Sequence, residues 1–199
     1  ITYQEQKTYF DVLRLTVDDK YSWDFAMLGV GLRYINGVGK PDMLHYVESF
    51  GMEGHYDFAS NRGYIWSRTF PLLKRALLLG VGQDNFAYAF PNDDYVGKEN
   101  CGFNEQIVTK PHNMYLQIWV QDGLPALLAF LALYLLLFGR TIRKCFKKGK
   151  WNHSQKISLA FLCGVSGYFV AGLANDSSIC VAPVFWVLFG VAFAVLRSE

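Results

Sequence analysis

Charge is what this sequence has least of. Only 18% of its 199 residues are Asp, Glu, Lys or Arg, against about 25% in ordinary soluble domains, while 52% are hydrophobic and 17% aromatic. A water-facing globule lacks the polar surface it needs at that composition, and disorder is excluded by the same figures. Cysteine is also scarce. Cys101, Cys145, Cys163 and Cys180 show no metal-type spacing, so neither a disulfide framework nor a zinc site is indicated. Six prolines and 18 glycines without a period exclude a collagen-like chain. Ile1 is not an initiator Met, and no basic segment followed by an apolar one opens the chain. The expectation is a piece of a longer protein rather than one with its own signal peptide.

The little charge present is unevenly divided. Residues 1–123 carry 11 Lys+Arg against 15 Asp+Glu, and residues 124–199 carry 8 against 2. The second part contains three uncharged apolar runs, 124–139, 157–175 and 177–196. A helix needs about 20 mostly apolar residues to cross the hydrocarbon core, and the first run continues backward through Tyr115, Ile118 and Trp119. Three transmembrane helices are expected. The segment 140–156 holds Arg140, Arg143, Lys144, Lys147, Lys148, Lys150 and Lys156 with no acid, which predicts a cytoplasmic loop. Residues 1–123 then lie outside the cytoplasm, as an extracytoplasmic domain of mixed texture. A nucleic-acid patch is the rival reading of the basic loop, but it lacks interleaved aromatics, so no nucleic-acid partner is expected.

In the outer segment, residues 25–35 and 43–50 are expected as short helices. A longer helix is expected over 62–79, with Asn61 at its start, Gly80 at its end and Pro71 kinking or breaking it. The Gly-, Asn-, Asp- and Pro-rich stretch 80–111 reads as a long ordered loop, a length that is usually functional. Gly80-Val81-Gly82 is too short for a dinucleotide fingerprint, Asp84, Asp93 and Asp94 do not have calcium-loop spacing, and Phe86, Tyr88, Phe90, Tyr95 and Phe103 either pack together or stack on sugar rings.

Three features could carry chemistry. Pro111-His112-Asn113 precedes the first span, and either His112 or Asn113 can cap the helix that follows. A neutral imidazole there could take a proton from a hydroxyl nucleophile, or it could simply be a capping or interfacial residue. Arg62 opens the expected helix, where backbone N–H groups and a guanidinium together suit phosphate oxygens; an exposed solvating arginine is the plain alternative. Arg68, Lys74 and Arg75 either extend a basic surface or snorkel. Asp176 is the only acid in residues 123–198; in the turn Asn175-Asp176-Ser177-Ser178 it either orients His112 or binds an acceptor hydroxyl, or caps the next helix.

Arg62-Gly63-Tyr64-Ile65-Trp66, Leu79-Gly80-Val81-Gly82-Gln83-Asp84-Asn85-Phe86, Pro111-His112-Asn113-Met114-Tyr115-Leu116-Gln117 and Gly123, in this order, resemble the C-terminal half of the O-antigen ligase and O-antigen polymerase superfamily. The ligase pattern of His, then Asn, Ser or Gln, nine residues and Gly is met by His112, Asn113 and Gly123; the further glycine of the pattern, after two more residues, is Ala126 here. The resemblance runs over about residues 60–196, and residues 1–59 match no pattern.

The resemblance implies an all-α integral membrane protein: the C-terminal fragment of a multi-spanning GT-C-like glycosyltransferase with a large, mostly helical extracytoplasmic loop. It implies metal-independent, inverting transfer of a polyprenyl-diphosphate-linked oligosaccharide to an acceptor glycan on the outer face of the cytoplasmic (inner) membrane, as a surface polysaccharide polymerase or ligase with no cofactor. His112 is the implied base or acceptor-orienting residue, and Arg62 and, less closely matched, Arg68 are the implied diphosphate or glycan ligands; beside these, Asn113 and Asp176 are expected as further substrate contacts. The partners implied are the lipid-linked donor, the acceptor glycan, the bilayer and N-terminal spans of the same protein. A transporter or flippase component without catalysis, or a receptor-like membrane anchor, is the competing reading.

Overall fold

The computed structural model describes residues 11–19, 21–29, 31–102, 106–146 and 151–197. Phe103, Lys147, Lys148 and Lys150, together with the first ten residues, lie outside that set. The chain forms two compact units, Ile1–Glu48 with Pro91–Ile107, and Ser49–Phe90 with Val108–Glu199. The outer segment is therefore not mostly helical, and residues 25–35 are not a helix. They belong to a four-stranded antiparallel meander in the order β1 (Asp11–Val17), β2 (Tyr21–Leu28), β3 (Gly31–Ile35), β4 (Pro41–Asp42). The physical reason is period-two alternation: Leu13 faces Phe25 and Leu15 faces Trp23 in register, which puts one apolar set on one face. Arg14 donates to both oxygens of Asp24, at 2.7 and 2.8 Å, across the same pair. Residues 43–50 form no regular element.

The meander ends against α3 (Tyr95–Asn100), the second element to interrupt the expected loop. Asp94 caps it by accepting from Gly97 N–H at 3.0 Å. Tyr95 packs on Tyr34, ring centres 4.9 Å apart, and donates its hydroxyl to Asp42 at 2.5 Å. That hydroxyl, helped by the Met43 N–H, holds the Asp42 carboxyl below its usual value against the opposing effect of burial.

The second unit starts with α1 (Phe58–Leu73), although Ala59, Ser60 and Asn61 are left-handed, so the right-handed helix begins at Arg62. It carries Pro71 inside and stops at Leu73, seven residues before Gly80. After the single turn α2 (Phe86–Ala89) come α4 (Met114–Asp122), α5 (Leu124–Cys145), α6 (His153–Ala171) and α7 (Ala182–Arg197). Leu137, Leu162, Val165, Phe169, Phe185, Phe189 and Ala192 form the core between the last three helices. Phe169 stacks on both Phe130 and Tyr134 within it. Asn152 and Gln155 make a reciprocal capping box at the start of α6, and Gln155 also donates to the Lys144 carbonyl at 2.7 Å, which ties the turn between α5 and α6.

Among the described residues one helix, Leu124–Cys145, is long and apolar enough to cross a membrane. The apolar run 177–196 yields a helix of only 16 residues, because residues 172–181 are spent on the turn that carries Asp176. Sixteen residues rise about 24 Å, short of a hydrocarbon core of about 30 Å. Exposed apolar side chains on these helices, such as Leu135 at 63%, Val170 at 67% and Val187 at 65%, still call for an apolar surrounding.

Glycine decides one junction. Gly123 breaks the chain between α4 and α5 at φ 94°, and the loop at Leu78–Gly82 lies directly against that break. Val81 and Gly82 donate their N–H groups to the carbonyls of Val120 and Gln121 at 2.8 and 3.0 Å. A Cβ on Gly80 would sit 2.1 Å from the Gln121 carbonyl, and one on Gly123 would sit 2.5 Å from the Leu78 oxygen. The Gly-Val-Gly signal is thus a backbone contact.

Gly80→Ala is expected to cost at least about 1–3 kcal/mol through this overlap, read as a lowered midpoint of thermal unfolding, whereas Gly139→Ala, where a Cβ meets nothing within 4 Å, leaves the midpoint nearly unchanged. Tyr95→Phe is expected to return the Asp42 carboxyl upward toward its ordinary value in a carbon-detected NMR titration. Because the folded value is depressed, the stability that Asp42 contributes is present above the unfolded carboxylate value and is lost as pH falls through the folded one; the variant loses that acid-sensitive part.

Candidate functional site

The site rests on two helix ends that meet. The last turn of α6 and the residues after it leave carbonyls without helical partners, and the first turn of α4 leaves N–H groups. Here Met114 N–H donates to the Gly172 carbonyl at 2.8 Å, the Tyr115 hydroxyl to Phe169 at 2.6 Å and the Asn113 amide to Leu173 at 2.9 Å. Asn113 also accepts from the Tyr115 and Leu116 N–H groups, each at 3.0 Å, as a true N-cap. Its amide oxygen and nitrogen are both engaged with backbone, so the structure uses Asn113 to hold the fold together.

The same contact brings the residues on either side face to face. Pro111 is fully buried, and His112 follows it in the left-handed region at φ 51°, a conformation that costs a non-glycine residue about 1 kcal/mol or more. On the other side, Ser177 N–H donates to Gln117 Oε1 at 3.0 Å and its hydroxyl pairs with that of Tyr168 at 2.8 Å, which fixes the turn after Gly172. His112 Nδ1 then lies 2.9 Å from Asp176 Oδ2, with the imidazole 47% exposed and the carboxylate only 10%. Asp176 Oδ1 is buried with no hydrogen-bond partner among the described residues.

With its Nδ1–H directed at a carboxylate, the imidazole presents Nε2 as a free acceptor. The pair lines a cavity of about 550 Å³ with Lys110, Met114, Tyr168 and Gly172. That volume is within the range of small-molecule sites.

Arg62 and Arg68 are described, and neither lines this cavity. Arg62 stands at the first right-handed turn of α1; its Nη1 donates to the Ala59 carbonyl at 2.9 Å, and its Nε is buried without a partner among the described residues. Four residues on, on the same helix face, Trp66 donates its indole N–H to the Pro111 carbonyl at 2.8 Å. The face that bears Arg62 is thereby tied to the segment that presents His112. Arg68 is used differently. It is 8% exposed, its guanidinium lies over the rings of Tyr56 and Tyr64 at 4.7 and 4.4 Å, and it donates to Ser67 Oγ. Aromatic faces neutralise part of the cost of that buried cation. Sequence reading did not single out Gln117 and Tyr168, which secure the Asp176 turn; their only signal was a polar or hydroxyl group one or two turns from a helix end.

The acids and aromatics of the former loop also find ordinary uses. Asp93 pairs with His45 at 3.2 Å, Phe86 and Phe90 are buried and in ring contact, and Tyr88 is 89% exposed.

Comparison with curated proteins and with solved structures finds no match. Comparison with family models matches residues 22–131 to Wzy_C, the O-antigen ligase family. The match begins inside the β-sheet, in a part of the chain whose motifs had matched no pattern, and ends in the second turn of α5. It takes in Arg62, Arg68, His112 and Asn113 but not Asp176. More than half of the sequence lies within it, and the chain belongs to the O-antigen ligase family, enzymes of membranes and polysaccharide biosynthesis.

Proposed function

We propose that this chain carries the catalytic part of a glycosyltransferase that moves a polyprenyl-diphosphate-linked oligosaccharide onto an acceptor glycan, as a surface polysaccharide polymerase or ligase. The observation that supports it most is the 2.9 Å approach of His112 Nδ1 to Asp176 Oδ2 at the wall of a cavity. Asp176 holds the imidazole so that Nε2 faces outward, and Nε2 takes the proton of an acceptor hydroxyl as its oxygen attacks the anomeric carbon of the donor sugar. The bond from that carbon to the diphosphate breaks on the opposite side, so the anomeric centre inverts. Asp176 Oδ1, buried without a partner among the described residues, accepts from a second hydroxyl of the acceptor.

The leaving diphosphate needs positive charge. Arg62 supplies it: its buried Nε has no acceptor among the described residues, and it begins a helix whose first N–H groups also favour an anion. Charge supplied by a guanidinium makes the reaction independent of a metal ion. Arg68 and Asn113 act on this site by holding α1 and α4 in place.

The membrane reading follows the same lines. α5 crosses the bilayer, α6 and α7 complete three spans with the helix ends and flanking turns, and Arg140, Arg143, Lys144 and Lys156 keep the intervening turn cytoplasmic. The site then lies at the outer face of the cytoplasmic membrane, and further spans of the same protein complete the donor groove.

In the full-length protein, His112→Ala is expected to lower transfer by about 10²- to 10⁴-fold, and Arg62→Ala to do so with a comparable loss, both with normal amounts in the membrane. Asp176→Asn retains the shape but loses the charge that orients the imidazole, and is expected to lower kcat more than it changes donor KM. Transfer persists in excess EDTA. Polymer made at a near-normal rate by His112→Ala rejects the assignment; reconstituted protein that moves the lipid-linked sugar across a bilayer and forms no glycosidic bond decides for a flippase.

A further inference from the structure

A second cavity, of about 330 Å³, opens beside the one that holds His112, and the two share Lys110, Met114 and Tyr168 as a common wall. Its chemistry is different. Gln83, Asp84, Gln117, Gln121 and Asp122 supply the polar part of its lining, and Tyr168 and Trp186 are among the aromatic part. Lys110 is the only cation of the lining, against the two carboxylates of Asp84 and Asp122.

This arrangement is built rather than incidental. Gln83 donates its amide to Asp122 Oδ1 at 2.6 Å across 39 residues of sequence. The preceding backbone is pinned to the end of α4 by the Val81 and Gly82 N–H groups, and Asp84 is held in the left-handed region at φ 58°. Gln117 is fixed by the Ser177 N–H, and Gln121 lines the cavity although only 4% of its surface is exposed. The lining thus combines amide and carboxylate groups held by the fold with the half-exposed ring of Trp186.

A pyranose ring answers both kinds of group. Its hydroxyls are donors that carboxylates accept strongly, and donors and acceptors that amides answer in both senses. Its C–H face packs on an aromatic ring. An anion does not fit: Asp84 and Asp122 outnumber Lys110, and like charges at close range disfavour binding. The cleft therefore discriminates against both a diphosphate and an acidic sugar. We infer that this cavity is the acceptor subsite, taking an uncharged saccharide unit whose next hydroxyl reaches His112 past the shared wall of Lys110, Met114 and Tyr168. This rests on the transfer reading above, and it adds where the acceptor binds and which charge class it has.

The test uses the full-length protein in lipid nanodiscs with three probes, chitotriose, maltotriose and trigalacturonate, followed by saturation-transfer NMR. At least one neutral trisaccharide is expected to bind and trigalacturonate is not. Asp84→Asn, which removes the charge at an exposed position while keeping a side chain that tolerates the left-handed backbone, is expected to weaken neutral binding at least ten-fold, and Gln83→Ala to weaken it as well. His112→Ala leaves binding unchanged while abolishing polymer formation. Binding that ignores both cleft substitutions, absence of binding by either neutral probe, or equal binding of the acidic one overturns the inference. Retention of polymer by His112→Ala overturns the transfer reading instead and leaves the binding result standing, so the two failures are separable.

Discussion

Everything at the candidate site depends on the meeting of one helix start with one helix end. The N–H of Met114 and the Asn113 amide satisfy carbonyls that α6 leaves open at Gly172 and Leu173, and the Tyr115 hydroxyl satisfies that of Phe169. Unpaired groups at buried helix ends are costly, so this mutual satisfaction fixes the two ends together, and the positive pole of α4 faces the negative pole of α6. A Cβ on Gly172 would lie 3.1 Å from Met114 Cβ, so the two helix ends approach closely at a glycine. His112 and Asp176 are the residues that flank this contact, 64 positions apart in sequence yet delivered to hydrogen-bond distance.

Much of that site was legible beforehand, because its signals are local. Pro111 stops the helix upstream, Asn113 is a strong N-cap, and Gly123 marks a break, so the His-Asn element could be placed at the start of a helix from residue types alone. The partnership with Asp176 was readable for another reason: it is the only acid in a long apolar stretch, which narrows the choice of partner for any outer-face histidine. Arg68 was less well read. Nothing in its immediate sequence separates an arginine that meets a ligand from one enclosed by Tyr56 and Tyr64, since the enclosing rings come from the fold.

The β-meander escaped sequence reading for a reason that is physical as well. Residues 25–35 are apolar almost throughout, and a short continuous apolar run fits a helix face and a buried strand alike. The discriminating marks were outside that window: the alternation Leu13, Leu15, Val17, the matching Trp23, Phe25, Met27, and glycines at 29 and 31 that turn the chain between β2 and β3. The extent of the helices was also altered by tertiary demand. Ten residues, 172–181, uncharged but for Asp176, are withdrawn from helix to present that acid, to accept hydrogen bonds from Met114 and Asn113 at Gly172 and Leu173, and to donate one from Ser177 to Gln117.

Gly123 has a mechanical consequence. α4 and α5 follow each other with a single residue between them, yet at φ 94° the joint is not helical, so the nine residues beneath His112 and the 22 residues of the long apolar helix are separate rods. A helix of fixed length adapts to a thicker or thinner bilayer by changing its tilt. Were the two rods one, any tilt of the long helix would be imposed directly on the segment that bears His112. Because Gly123 separates them, the direction of the short helix is set instead by its own hydrogen bonds to the end of α6, and the meeting of His112 with Asp176 is not tied to the axis of the long apolar helix.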